Sequence, residues 1–94
     1  GQTMATLTIS HPNPLPIDVA KQRIEAAFAA YSAKYNLKQR WQGNRLLVSG
    51  PADGHADVTA GTVTVELKLG LGASMFKGRV ESAIRAELDK ALRA

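Results

Sequence analysis

Residues 62–69 read T-V-T-V-E-L-K-L, and this alternation constrains the fold more than any other stretch of the chain. Val63, Val65, Leu67 and Leu69 fall on one side of an extended strand, and Thr62, Thr64, Glu66 and Lys68 on the other. A strand with one dry and one wet face belongs to an antiparallel sheet covered on one side only. Ala5 to Ser10 repeats the pattern, with Leu7 and Ile9 opposed to Thr6, Thr8 and Ser10. Leu37 to Gln42 and Arg45 to Ser49 flank Gly43-Asn44, the two-residue spacing of a tight hairpin. His55 to Ala60 and Thr62 to Leu69 form a second hairpin around Ala60-Gly61. Two segments read as loops: His11 to Pro16, with three prolines and an asparagine, and Gly50-Pro51-Ala52-Asp53-Gly54.

The dry face needs a cover, and two amphipathic segments supply it. From Ile17 to Tyr35, apolar residues recur at three- and four-residue steps: Ile17, Ala20, Ile24, Ala27, Phe28, Tyr31 and Tyr35. Asp18 complements the first turn, and Asn36 tolerates the left-handed conformation that ends a helix. A second helix is expected from Ala73 to Leu92, with Phe76, Val80, Ile84, Leu88 and Leu92 on one stripe. Glu81 with Arg85 and Asp89 with Arg93 have the favourable i,i+4 order. Gly78 marks either close packing on the sheet or the true helix start. The order is β-α-β-β-β-β-α. The expected fold class is α+β: a two-layer sandwich, an antiparallel sheet of four to five strands with two helices on one face. Residues 5–94 read as a single domain, and residues 1–4 as a tag remnant or a disordered start.

Ninety-four residues allow one modest core. With no cysteine, disulfides, thiolate zinc sites and cysteine nucleophiles are excluded. No apolar run approaches the ~20 residues of a membrane span, and no basic-then-apolar leader is present. The expected compartment is the cytoplasm.

The net charge is +4, and the same excess sits between Glu25 and Asp53, where Lys34, Lys38, Arg40 and Arg45 face no acidic residue. Tyr31, Tyr35 and Trp41 are interleaved with them. One reading is a basic patch for a polyanion, nucleic acid included. The plainer one, which we prefer, is a solvated strand face, with Lys38, Arg40 and Gln42 outward and Leu37 and Trp41 packed inward. No stacking motif or helix-turn-helix supports a nucleic-acid reader.

Asp53, His55 and Asp57 stand at i, i+2 and i+4 and could in principle ligate a divalent metal. Gly54 and the turn-like run before it instead place Asp53 in a loop and make His55 an exposed strand residue. Serine, histidine and aspartate occur without a G-x-S-x-G elbow. Gly70-Leu71-Gly72-Ala73-Ser74 resembles an anion-binding loop but lacks the P-loop ending and the G-x-G-x-x-G spacing. No catalytic, cofactor or metal residue is assigned, and a non-enzymatic function is expected.

The last feature is apolar. If Leu46 and Val48 face the core, Leu47 lies on the wet side, near Thr6, Thr8, Thr62 and Thr64. Leu71 and Met75 are hard to bury together with Phe76. Lys34, Lys38, Arg40, Arg45, Leu47, Leu71 and Met75 therefore form the candidate interaction surface.

Val65-Glu66-Leu67-Lys68-Leu69-Gly70, followed by Phe76-Lys77-Gly78-Arg79-Val80-Glu81 and Ile84, resembles the C-terminal half of the polyhydroxyalkanoic acid system proteins, small bacterial proteins also described as polyhydroxyalkanoate granule-region proteins. Ala20-Lys21 through Arg23-Ile24-Glu25, Lys34-Tyr35-Asn36-Leu37 and Trp41-Gln42-Gly43 before Leu46 extend the resemblance from Thr6 to Leu92. It implies a setting near storage-polyester metabolism and brings no established catalytic residues to carry over. The leading expectation is an accessory protein that binds the polyester granule surface or a granule protein. The alternative is a carrier of a hydrophobic acyl or hydroxyacyl ligand between the first helix and the sheet, on analogy with a shortened helix-grip domain. For that alternative a filled monomer interior is expected, with any cavity at a dimer interface. The wet sheet face leaves a homodimer open. Weak binding of nucleic acid or another polyanion through residues 34–45 stands third.

Overall fold

Strand alternation and helical stripes produce the expected order, with one short helix added. The computed structural model describes residues 5–94, apart from the Leu71 side chain. Along the chain lie β1 (Ala5–Asn13), α1 (Ile17–Lys34), β2 (Lys38–Gln42), β3 (Arg45–Ser49), β4 (Ala52–Thr59), β5 (Gly61–Leu69), the single turn α2 (Leu71–Ser74) and α3 (Lys77–Ala91). The strands make one antiparallel sheet in the order β1-β5-β4-β3-β2. β2 to β5 thus form a meander, and β1 closes on its last strand. Leu7, Ile9, Leu46, Ala56, Val58, Val63 and Val65 line the inner face and are buried against Ala20, Ile24, Ile84 and Leu88 of the two long helices.

Both hairpins form where the spacing places them. Gln42 pairs with Arg45 around Gly43, whose φ is +62°, and Thr59 pairs with Thr62 around Ala60-Gly61. α1 ends as expected: Asn36 takes φ +56°, and the Leu37 N–H donates to the Ser32 carbonyl at 2.8 Å, closing a Schellman turn.

Three expectations need correction. The proline-rich segment is not all loop, because β1 continues through His11 and Pro12 to Asn13. β1 is an edge strand, where a missing N–H costs little pairing. Side chains hold this extension. His11 Nε2 lies 2.6 Å from Asp89 Oδ1 on α3, Asn13 Nδ2 donates to the Thr59 carbonyl at 3.0 Å, and Asn13 Oδ1 accepts the Leu15 N–H at 3.0 Å. Asp89 therefore pairs with a strand rather than with Arg93, whereas Glu81 and Arg85 do meet, at 3.2 Å.

Second, Asp53 and Gly54 belong to β4, where they pair with Lys68 and Leu67. Alignment with the strongly alternating β5 overrides the local turn signal. His55 is consequently half-buried rather than exposed.

Third, the segment expected as one helix from Ala73 is interrupted. The Phe76 N–H reaches back only to the Ala73 carbonyl, at 3.0 Å, and Phe76 leaves the helical region at φ −113° and ψ 24°. A new helix starts at Lys77, so Gly78 lies in its first turn, and a Cβ there would meet open space.

Asn13 is the buried polar residue among those described, and both ends of its amide are used. Replacing it strands the Thr59 carbonyl and the Leu15 N–H. Asn13→Ala is expected to lower the unfolding free energy in urea by about 1–3 kcal/mol.

Candidate functional site

The inner face of the sheet is not filled evenly. At one end α1 and α3 converge: Ala20 and Ile24 meet Leu88, Ala91 and Leu92, all buried. Arg23 Nη1 donates to the Ala91 carbonyl at 3.4 Å and the Arg93 carbonyl at 3.2 Å, closing the C-terminal end of α3. At the other end the inward positions of β4 are Ala52, Gly54 and Ala56, which give the sheet almost no side-chain height. Gly54 lies between Val48 and Leu67 in register. A Cβ there would collide with the Glu66 carbonyl oxygen and fall 2.7 Å from Leu67 Cδ2, so the close strand approach requires glycine.

The result is a cleft of about 560 Å³ bounded by α1, α3 and the sheet. Leu46, Val65 and Leu67 lie along its floor, and Phe28, Tyr31, Val80 and Ala83 along its walls. Phe28, Tyr31 and Tyr35 continue along one stripe of α1, with ring centroids 6.2 and 6.4 Å apart. The cleft opens beside the interruption between α2 and α3. Tyr35 (51% exposed) and Phe76 (54%) lie at this mouth; Met75, next to Phe76 in the chain, is 81% exposed. These are the exposed large hydrophobic residues among those described. The interior expected to be solid therefore carries an open cleft within the single chain.

The polar groups of the cleft are mostly engaged. Ser32 Oγ donates to the Phe28 carbonyl at 3.0 Å, Gln39 Nε2 donates to Ser32 Oγ, and Tyr31 Oη donates to Glu87 Oε1 at 3.4 Å. Lys90 Nζ stands 3.8 Å from the same Glu87 oxygen. Arg79 also lines the cleft and enters no ion pair with any described residue.

The candidate surface read from the sequence divides between two faces. Lys38, Arg40, Arg45 and Leu47 occupy the outer sheet face on β2 and β3, where Leu47 is half-buried between Arg40 and His55 in register. Lys34 lies at the end of α1 with Nζ 5.4 Å from the Tyr35 ring centre, and Met75 caps α2, next in the chain to the cleft residue Phe76. The Leu71 side chain is outside the described residues. Trp41 is tied to α1: its Nε1 donates to Glu25 Oε1 at 3.0 Å, and Lys21 Nζ sits 4.8 Å from the ring.

Arg45 is committed to a two-pronged pair with Asp57, at 2.7 and 3.1 Å. That hydrogen bond holds the Asp57 carboxyl below its ordinary value, aided by the Arg45 and His55 charges and opposed by slight burial. With His55 Nε2 3.7 Å away and Asp53 Oδ1 accepting the Gly50 N–H, the three residues considered for a metal have other roles. Among the described residues no group of three or more His, Asp or Glu side chains is placed to hold a metal ion.

A family model described as "Putative polyhydroxyalkanoic acid system protein" matches residues 7–92. The chain belongs to this family. The match covers every strand and helix except the first two residues of β1, so all the residues that line the cleft lie within it. No curated protein and no solved structure is significantly similar to the chain. No described helix is long and apolar enough to cross a membrane.

The depth of the cleft depends on residues 52–54 forming strand where the sequence predicts loop, which is why a filled monomer interior is expected from sequence alone. The available signal was the small-residue alternation Ala52, Gly54, Ala56, which becomes informative once those residues are paired with β5.

Two outcomes follow. Gly54→Ala is expected to destabilise the fold by about 1–3 kcal/mol in urea unfolding, because backbone must shift to accept the methyl group. The lowered Asp57 value means its pairing stabilises the fold above pH 3.8 and is lost as pH falls through the folded value. Asp57→Asn should therefore be slightly less stable than the parent at neutral pH, and the two stability curves should merge in acid.

Proposed function

We propose that this chain is a non-enzymatic accessory protein of the polyhydroxyalkanoate storage system, which meets the apolar granule surface through the mouth of the helix–sheet cleft. The observation that carries this reading is the exposure of Tyr35 and Phe76, both of which line the apolar cleft, and of Met75, adjacent to Phe76 in the chain. Exposed apolar groups that continue into a concave apolar interior suit a water-poor surface better than open solvent. Lys34, Lys77 and Arg79 stand on the helix ends at this side and suit anionic groups on such a surface. The family membership supplies the polyester setting, and the expected place of action is the granule in the cytoplasm.

Sedimentation of the purified chain with isolated polyhydroxyalkanoate granules tests the proposal. Binding should persist at about 1 M salt, where the Debye length is only ~3 Å and exposed charge attraction is largely screened. Phe76→Asp and Met75→Asp should each reduce the bound fraction severalfold, and Leu47→Asp on the outer face should leave it unchanged. Absence of sedimentation at both low and high salt overturns the reading, and loss of binding with Leu47→Asp alone moves the contact to the outer sheet face.

A further inference from the structure

We infer that the cleft binds one aliphatic carboxylate amphiphile, its chain lying over the Ala52–Gly54–Ala56 floor and its carboxylate meeting Arg79 at the rim. This rests on the reading of the cleft as the working side of the protein, and it adds the class of small molecule that enters it.

Size sets the first limit. A volume of about 560 Å³ lies within the ~300–1,000 Å³ usual for small-molecule sites. A helix is ~10 Å across with its side chains and rises 5.4 Å per turn, so such a cleft holds little more than one turn of peptide helix. A flexible hydrocarbon chain fills the same space without leaving peptide groups unsatisfied against apolar walls. The low floor gives the cleft its depth, because β4 contributes only two methyl groups and a glycine there.

Charge sets the second. Ser32 and Gln39 bond to each other and to the Phe28 carbonyl, and Tyr31 and Lys90 both address Glu87. Glu81, on the same helix, is taken by Arg85. Arg79 is left as the lining cation without an ionic partner among the described residues. A guanidinium at the edge of an apolar cleft matches a single carboxylate, which it can engage with two parallel N–H donors. The site therefore selects an anionic head on an apolar tail, and disfavours a cationic head of the same length.

Titration of the ¹⁵N-labelled full chain with decanoate and, separately, decylamine tests this by NMR. Decanoate should shift the amides of Ala56, Leu67 and Ala83 in a saturable manner, with affinity about tenfold above that for decylamine. Arg79→Gln should abolish that preference while retaining weak tail binding. Ala83→Phe should abolish binding of both probes, since Ala83 is an exposed wall residue whose enlargement occupies the cleft without disturbing the buried core. The inference is overturned if decanoate produces no saturable shift at about 1 mM, or if both probes bind equally and Arg79→Gln changes neither. Granule sedimentation that persists without decanoate binding overturns the ligand assignment alone, and loss of both overturns the shared reading of the cleft.

Discussion

The inner face of β5 is the surface against which the rest of the molecule is assembled. Val63, Val65 and Leu69 are almost fully buried, and β5 pairs along its whole length with β1 on one side and β4 on the other. Because side chains alternate strictly along a strand, this register commits each neighbour to one orientation. A slip of one residue would exchange the entire dry set for Thr62, Thr64, Glu66 and Lys68. The orientation of β4 then follows from pairing with β5. That places Ala56 and Val58 in the core and sends Asp53, His55 and Asp57 to the opposite face, whatever the local turn preference of Gly54.

That constraint also explains why the core is open at one end. Two helices of 18 and 15 residues cover the inner face of five strands, and they are drawn together where Arg23 reaches the last carbonyls of α3. Beyond Ile24 and Ile84 the wall residues of α1 are large and aromatic, and α3 answers them with Ala83 and Val80. The floor beneath is low because β4 presents Ala52, Gly54 and Ala56. Filling it with larger residues is blocked at Gly54, where the strands approach too closely for even one methyl group. The cleft is thus the joint result of helix convergence at the far end and strand approach on the floor.

Legibility in the sequence followed the range of the interactions. β5, both hairpins and the end of α1 at Asn36 were readable because alternation, turn chemistry and a left-handed residue act within a few positions. The failures lie where a distant partner decides. Pro12 remains in a strand because β1 has only one neighbour, and Asn13 is fixed by Thr59, far along the chain. Asp89 had two candidate partners, and the one not visible in helical spacing, His11, is the one it takes. Alternation in β2 and β3 puts Lys38, Arg40 and Leu47 on the wet face, and the strand register does the same. What alternation does not give is any relation between that face and Met75, which caps a separate helical turn after β5.

The two faces differ in how their charges are used, and this bears on which of them works. On the outer sheet face Arg45 is spent on Asp57, Asp57 also draws His55 near, and Asp53 is opposite Lys68 in register. Leu47 is half-buried among these neighbours, so the face offers water a balanced polar surface with little apolar area to cover. On the helix side the balance is reversed: aromatic and methionine side chains stand exposed, and Arg79 lines the apolar space without an ionic partner among the described residues. On the first face Arg45 and Asp57 neutralise each other while Lys38 and Arg40 stay exposed to water; on the second the exposed apolar side chains are the feature that water serves poorly. An asymmetry of this kind leaves the outer face suited to water and makes the helix side the better candidate for contact with an apolar partner.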